Sequence, residues 1–199
     1  MAFENGIIRA DPFVCISDTH EKMDEILDLI PDGDVLIHAG DFTEAGDVSA
    51  VIKFNQQIGK LPHKVKIVIA GNHELGFEDG EEMSDRQLAG LSMLGIGKAY
   101  ELLTNCIYLC DRMIEVYGIK IYGAPWHPMP GYSFYRQRGQ ALLQKWNQIP
   151  NKTDVLITHT PPLGHGDFNA WTKLRTEYDP IIFDMPLPYG RSKDEVIVL

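Results

Sequence analysis

Four short apolar runs in this chain each break off at a turn carrying carboxylate, imidazole or amide side chains, and that repetition constrains the fold most. Pro12 to Ser17 leads into Ser17-Asp18-Thr19-His20, and Val35-Leu36-Ile37 into His38-Ala39-Gly40-Asp41. Val65 to Ala70 leads into Gly71-Asn72-His73-Glu74, and Val155 to Thr158 into His159-Thr160-Pro161-Pro162. Short, nearly continuous apolar runs predict strands buried on both faces, and such strands belong to parallel sheets. Between the first three runs, Met23, Ile26, Leu27 and Ile30, and then Val48, Val51, Ile52 and Ile58, recur at helical spacing. The second helix should end near Gly59 and Pro62. Alternating strands and helices predict an α/β fold. In a parallel sheet the carboxyl ends of the strands share one edge, so the turns converge on a rigid base.

Beyond about residue 75 the pattern loosens. Acidic and Gly-rich residues lead into a helical stretch over Lys98 to Thr104, and Ile107 to Tyr122 reads as strands turning at Tyr117-Gly118. Pro125 to Tyr135 is a Pro-rich aromatic loop, followed by a helix with Leu142, Trp146 and Ile149 on one face. No repeat, low-complexity tract or linker divides the chain, so residues 1–199 are expected to form one domain.

Composition removes several classes of function. A net charge of −10 argues against a general nucleic-acid or anionic-membrane binder, which needs a basic face. Part of that excess sits in Glu78-Asp79-Gly80-Glu81-Glu82, a solvated loop by default. No apolar run approaches the roughly 18 residues of a membrane span, and the opening residues lack the pattern of a secretory leader. Three cysteines, an odd and low count, predict a reducing compartment and hence the cytoplasm. Cys106 and Cys110 read as small core residues, since no second pair exists to complete a zinc site.

The residue types suit two divalent cations. Asp18 and His20, two apart, can face one cation; Asp41 can place one oxygen on each of two, holding them about 3.5–4 Å apart. Asn72 offers a carbonyl oxygen and His159 a ring nitrogen to the second. Such mixed donors suit Mn, Fe, Ni, Zn or Mg. A water between the cations would be acidified and become a nucleophile. His73, beside Asn72, is placed to stabilise the transition state or protonate a leaving oxygen. Taken singly these motifs are weak, since Gly-Asp is more often turn chemistry than a ligand. Their joint occurrence, in order and each at a strand end, carries the reading. His38 either orients a ligand from behind or simply packs in its strand. Trp126, Tyr132, Phe134 and Tyr135 either wall a nucleobase or, more simply, pack their loop.

The motifs D-x-H, G-D, G-N-H-E and a strand-terminal H resemble the calcineurin-like metallophosphoesterase family. Within it the chain is most similar to the animal metallophosphoesterase-domain-containing branch, through His38-Ala39-Gly40-Asp41-Phe42-Thr43, Leu103 to Leu109, Ile121 to Trp126, Arg138 to Leu143 and Pro180 to Asp184. The resemblance implies a four-layer α/β/β/α sandwich and a two-cation site. It further implies phosphodiesterase activity on a small phosphodiester or nucleotide, cyclic nucleotides included, with Asn72, His73 and His165 on the substrate side.

One element of that pattern is missing. The family expects a further strand ending in G-H-x-H, giving an imidazole to each metal. Downstream of His159 the only histidine is His165, too near to serve the next strand, and the chain then passes to Pro180-Ile181-Ile182-Phe183-Asp184-Met185-Pro186. At least one strand and its helix are therefore expected to be absent, leaving the sandwich incomplete near the C-terminus with a gap in the sheet. Three protein ligands per cation would remain, with weak metal binding and low or absent turnover. His127 and His165 are the candidates to complete the shell, against the simpler reading of exposed loop histidines. Two further functions stay open: a catalytically impaired module binding a nucleotide or protein, and a phosphomonoesterase acting on phosphoproteins.

Overall fold

The computed structural model describes residues 13–160 in full, and beyond them the backbone of five two-residue strands. β1 (Phe3–Glu4) and β2 (Ile7–Ile8) pair antiparallel. β3 (Phe13–Ile16), β4 (Val35–His38), β5 (Val65–Val68) and β6 (Ile107–Tyr108) form a parallel sheet in that spatial order. Connecting them are α1 (Met23–Ile26), α2 (Val48–Lys60) and α3 (Asp85–Met93). Because each strand lies beside its predecessor and crossovers are right-handed, all the helices fall on one face. α2 buries Val51, Phe54 and Ile58 in a core shared with Leu36 and Val68. It stops at Lys60, since Leu61 precedes Pro62 and takes an extended conformation (φ −70°, ψ 142°).

The other face of this sheet meets a second one. β7 (Arg112–Val116) and β8 (Ile119–Ala124) form a hairpin whose turn residues, Tyr117 and Gly118, have φ of 52° and 81°. Two consecutive left-handed residues give the turn whose twist matches paired strands. The chain then crosses through α4 (Gln140–Trp146) to β9 (Val155–Thr158), parallel to β8. Val35, Ile37, Ile67 and Ile69 of the first sheet interlock with Val116, Ile121, Val155 and Ile157 of the second, while Leu142 and Trp146 of α4 join the outer core with Tyr122 and Leu156. The layers are helix, sheet, sheet, helix, as expected.

β10 (Phe168–Asn169) and β11 (Leu174–Arg175) pair antiparallel, and β12 (Ile197–Val198) runs parallel to β9 with Ile197 opposite Val155. The expected gap beside β9 is therefore not open. A buried strand offers a row of N–H and C=O groups that must be satisfied, and β12 meets part of that row.

Two other expectations need correction. Lys98 to Thr104 forms only a 3-10 turn over Ala99–Leu102, and the first helix is one α turn continued as a 3-10 turn over Leu27–Leu29. Asp24 and Asp28 are poor helix formers, and Pro31 lies ahead. Conversely α3 lies outside the sequence expectation, although Ser84 and Gln87 form a reciprocal capping box at its start. Among the described residues no helix is long and apolar enough to cross a membrane.

Candidate metal centre

Backbone pairing continues past the strand ends and fixes the turns against each other. Ala39 N–H donates to Ile16 O at 2.8 Å, Asp18 N–H to Gly40 O at 3.0 Å, and His20 N–H to Asp41 O at 3.0 Å. The third turn is tied in by Ile69 N–H to His38 O at 3.1 Å. Within these turns Asp18, His20 and Asp41 adopt positive φ values of 54°, 40° and 55°. Each such non-glycine residue costs about 1 kcal/mol or more, which the surrounding pairing must offset.

Behind the turns lies Glu74, whose side chain is fully buried. Its carboxylate accepts the backbone N–H groups of Gly71 at 2.6 Å, Asp41 at 2.9 Å and Thr43 at 2.9 Å, and the Thr43 hydroxyl at 3.0 Å. Burial raises its carboxyl above the ordinary range, while the donors from Gly71, Thr43 and Asp41 act against that rise. One acid thus clamps the second and third turns together. In the sequence, only its position beside Asn72 and His73 after a buried strand marks Glu74.

In front, the donor atoms converge on Asp41. Its Oδ2 lies 3.6 Å from His20 Nε2, and its Oδ1 lies 3.3 Å from His159 Nε2. His159 Nε2 also lies 3.0 Å from Asn72 Oδ1. Two groups result, each with donor atoms all within 4.8 Å of one another: His20, Asp41 and His73, and Asp18, Asp41 and His159. Asp41 belongs to both groups. Asp18 falls in one group with His159, and His73 in the other with His20.

The donor set fits cations. His159 Nδ1 lies 2.9 Å from the Ala39 carbonyl, which can only accept, so a neutral His159 directs the lone pair of Nε2 at the Asn72 and Asp41 oxygens. Three lone-pair atoms facing one another require a positive charge among them. Burial alone would lower the His159 pKa, but the Asp41 carboxylate raises it to about 8. Burial would raise the Asp41 carboxyl, yet the contacts with His159 and the His73 N–H hold it below the ordinary value. The space is shaped by glycine. A Cβ on Gly71 would stand 2.2 Å from Asp41 Oδ1, and one on Gly40, already at φ 101°, would stand 2.7 Å from His159 Nδ1.

His38 packs within its strand and reaches the turn that carries two of the candidate ligands. It is fully buried, with edge contacts to Phe54 and Phe42, and its Nε2 lies 2.9 Å from the Thr19 hydroxyl between Asp18 and His20. Burial drives its pKa down to about 3, so the ring is neutral. His73 donates from Nδ1 to Glu44 O at 2.7 Å, leaving Nε2 available, and its ring stands 4.9 Å from His20. His127 does not complete a shell here. It is fully buried, Nε2 donates to Ser133 O at 2.6 Å, and Nδ1 accepts Met129 N–H at 3.1 Å. His165 lies outside the described residues. Trp126 and Phe134 pack inward, whereas the Tyr132 ring stands 5.5 Å from His73.

Comparison with known proteins gives concordant findings. A family model described as calcineurin-like phosphoesterase matches residues 11–184. UPF0046 protein C25E10.12 of Caenorhabditis elegans is 60% identical over 243 residues, covering 96% of this chain and 85% of that protein. Metallophosphoesterase domain-containing protein 1 of Homo sapiens is 52% identical over 166 residues, covering 78% of this chain and 50% of the human protein. The chain thus spans about half the length of the human relative. An alignment of 243 residues exceeds the 199 of this chain by 44, so at least that many internal positions of the worm protein have no counterpart here. Among solved structures, TT1561 of Thermus thermophilus superposes with a TM-score of 0.51 at 12% identity, covering 79% of this chain and 71% of that one, a likeness of fold.

Proposed function

The chain belongs to the calcineurin-like phosphoesterase family, and on that premise we propose that it is a metal-dependent phosphodiesterase acting on small phosphodiesters of the nucleotide class, cyclic nucleotides included. The observation that carries this reading is the position of Asp41, with one oxygen toward His20 and the other toward His159. We assign Asp18, His20, Asp41, Asn72 and His159 as ligands of two divalent cations (Mn, Fe, Ni, Zn or Mg), and His73 as the catalytic imidazole. Bound there, divalent cations acidify water and draw negative charge from phosphate oxygens. The protein's own part is to hold donors in place through Glu74, to fix the tautomer of His159 through Ala39, and to aim His73. With Nδ1 committed to Glu44 O, His73 can give or take a proton only at Nε2, where a leaving oxygen would sit. The three unpaired thiols, Cys15, Cys106 and Cys110, suit the reducing cytoplasm.

Bis-p-nitrophenyl phosphate with Mn²⁺, comparing wild type with His73→Ala, tests the proposal. We expect a drop of about a hundredfold in kcat; equal rates would sink the enzyme reading. A second reading, an impaired module that binds nucleotide or protein, draws on the three donor groups per cluster and the internal positions lacking a counterpart. It would show ligand binding without turnover in the same assay.

A further inference from the structure

Where the chain crosses from β6 to β7 the structure holds a cavity of about 660 Å³, within the range of small-molecule sites. Trp126 and Arg136 of the loop after β8 and Lys145 of α4 also line it, whereas neither the candidate ligands nor His73 do. Backbone strain sets it apart. Among the described residues seven other than glycine have positive φ: Asp18, His20, Glu21 and Asp41 in or beside the ligand turns, Tyr117 in the β7–β8 hairpin, and Asp111 and Phe134. The last two, at φ 48° and 61°, both line the cavity. Each is held from more than one side. Asp111 N–H donates to Gly123 O at 2.9 Å, and its carboxylate accepts Trp126 Nε1–H at 2.6 Å. Phe134 N–H donates to Glu78 at 3.0 Å, and its carbonyl accepts His127 N–H at 3.2 Å. Strain that the surroundings over-determine in this way is a mark of functional sites.

The lining also has a charge to spare. Its three acids are all paired: Glu78 with Arg136 at 2.5 Å, Asp111 with Lys145 at 2.9 Å and Asp79 with Lys98 at 2.7 Å. Arg136 and Lys145 stand over the Trp126 ring as well, 4.3 and 3.6 Å from its centroid. Arg112, the exposed first residue of β7, is different: among the described residues no carboxylate pairs with its guanidinium. Apolar surface comes from Ile107, 38% exposed, and from Tyr100 and Tyr108, whose rings stack at 5.4 Å and 14°. An apolar wall with one uncommitted guanidinium suits a flat apolar body carrying one planar anion, since that fork matches a carboxylate. We infer that this cavity is a second ligand site, taking a small aromatic carboxylate with its ring against Tyr100, Tyr108 and Ile107 and its carboxylate on Arg112. The site is independent of the phosphoesterase reading.

Calorimetric titration of the protein with naphthoate and with the neutral naphthalenemethanol, each with and without excess Mn²⁺, tests this. The acid should bind about fivefold more tightly than the alcohol, and equally well with Mn²⁺ present. Arg112→Gln should bring the two within about twofold, and Arg112→Lys should keep most of the preference. Ile107→Glu, which puts a negative charge on the wall, should weaken the acid more than the alcohol. The inference is overturned if wild type binds the two alike or binds neither, or if Arg112→Gln retains the preference. Displacement or strengthening of naphthoate by Mn²⁺ would place the carboxylate at the metal centre and overturn it equally. Both substituted positions are exposed, so thermal unfolding of the variants should match wild type. Absence of diester hydrolysis would sink the phosphodiesterase reading and leave this site standing.

Discussion

The backbone N–H of Asp41 donates to the buried carboxylate of Glu74 at 2.9 Å, and the same carboxylate holds Gly71 and Thr43. The residue that faces both donor clusters is therefore positioned from behind by an acid that belongs to neither. Glu74→Gln keeps the shape but turns an NH₂ group on a ring of N–H donors. It should destabilise the protein by about 3 kcal/mol, read as a lower urea midpoint, and weaken Mn²⁺ binding in the folded variant. An unchanged midpoint would show that the clamp is not needed.

Asp41 belongs to both donor clusters, whereas His159 belongs to one. Asp41→Asn should therefore abolish both steps of a calorimetric Mn²⁺ titration, and His159→Asn should remove one and leave the other. Loss of a single step in Asp41→Asn would mean that the carboxylate does not bridge.

His127 bears on acid stability. Burial lowers its pKa from 6.5 to about 4, so the unfolded chain takes up a proton at higher pH than the folded one. Its contribution is whole above the unfolded value and drains away as pH falls from there through about 4, amounting to at most about 3 kcal/mol. Urea midpoints measured from pH 8 to pH 4 should fall more steeply for wild type than for His127→Gln. Parallel curves would refute the assignment.

The thiols should label unequally. Burial pushes Cys106 and Cys110 up to about 12, whereas Cys15 is exposed and raised by a lesser degree of burial. Only thiolate reacts, so at pH 8 a disulfide reagent should modify one thiol quickly and the other two after unfolding. Prompt modification of all three would place Cys106 or Cys110 outside the packed region.

The strands and the ligand-type turns are legible because both signals are local: a buried parallel strand is apolar throughout, and the polar residue that ends it is its immediate neighbour. α3 escapes the sequence because Leu88 and Met93 face solvent, 47% and 88% exposed, which blurs its apolar stripe. The capping box Ser84–Gln87 is the better sign. That Asp18 and His159 come together cannot be read from the chain alone, since it depends on where a strand of the other sheet is placed. Glu74 carries the opposite difficulty: an acid within a ligand motif looks like another ligand until its burial is seen.

The left-handed backbone at Asp18, His20 and Asp41 has a consequence for any attempt to make this protein more robust. Glycine is the residue that would relax each position, and each such change would take a donor atom away with it. Thermal hardiness and cation affinity should therefore trade against one another at these three codons, while elsewhere on the scaffold they remain free to improve together.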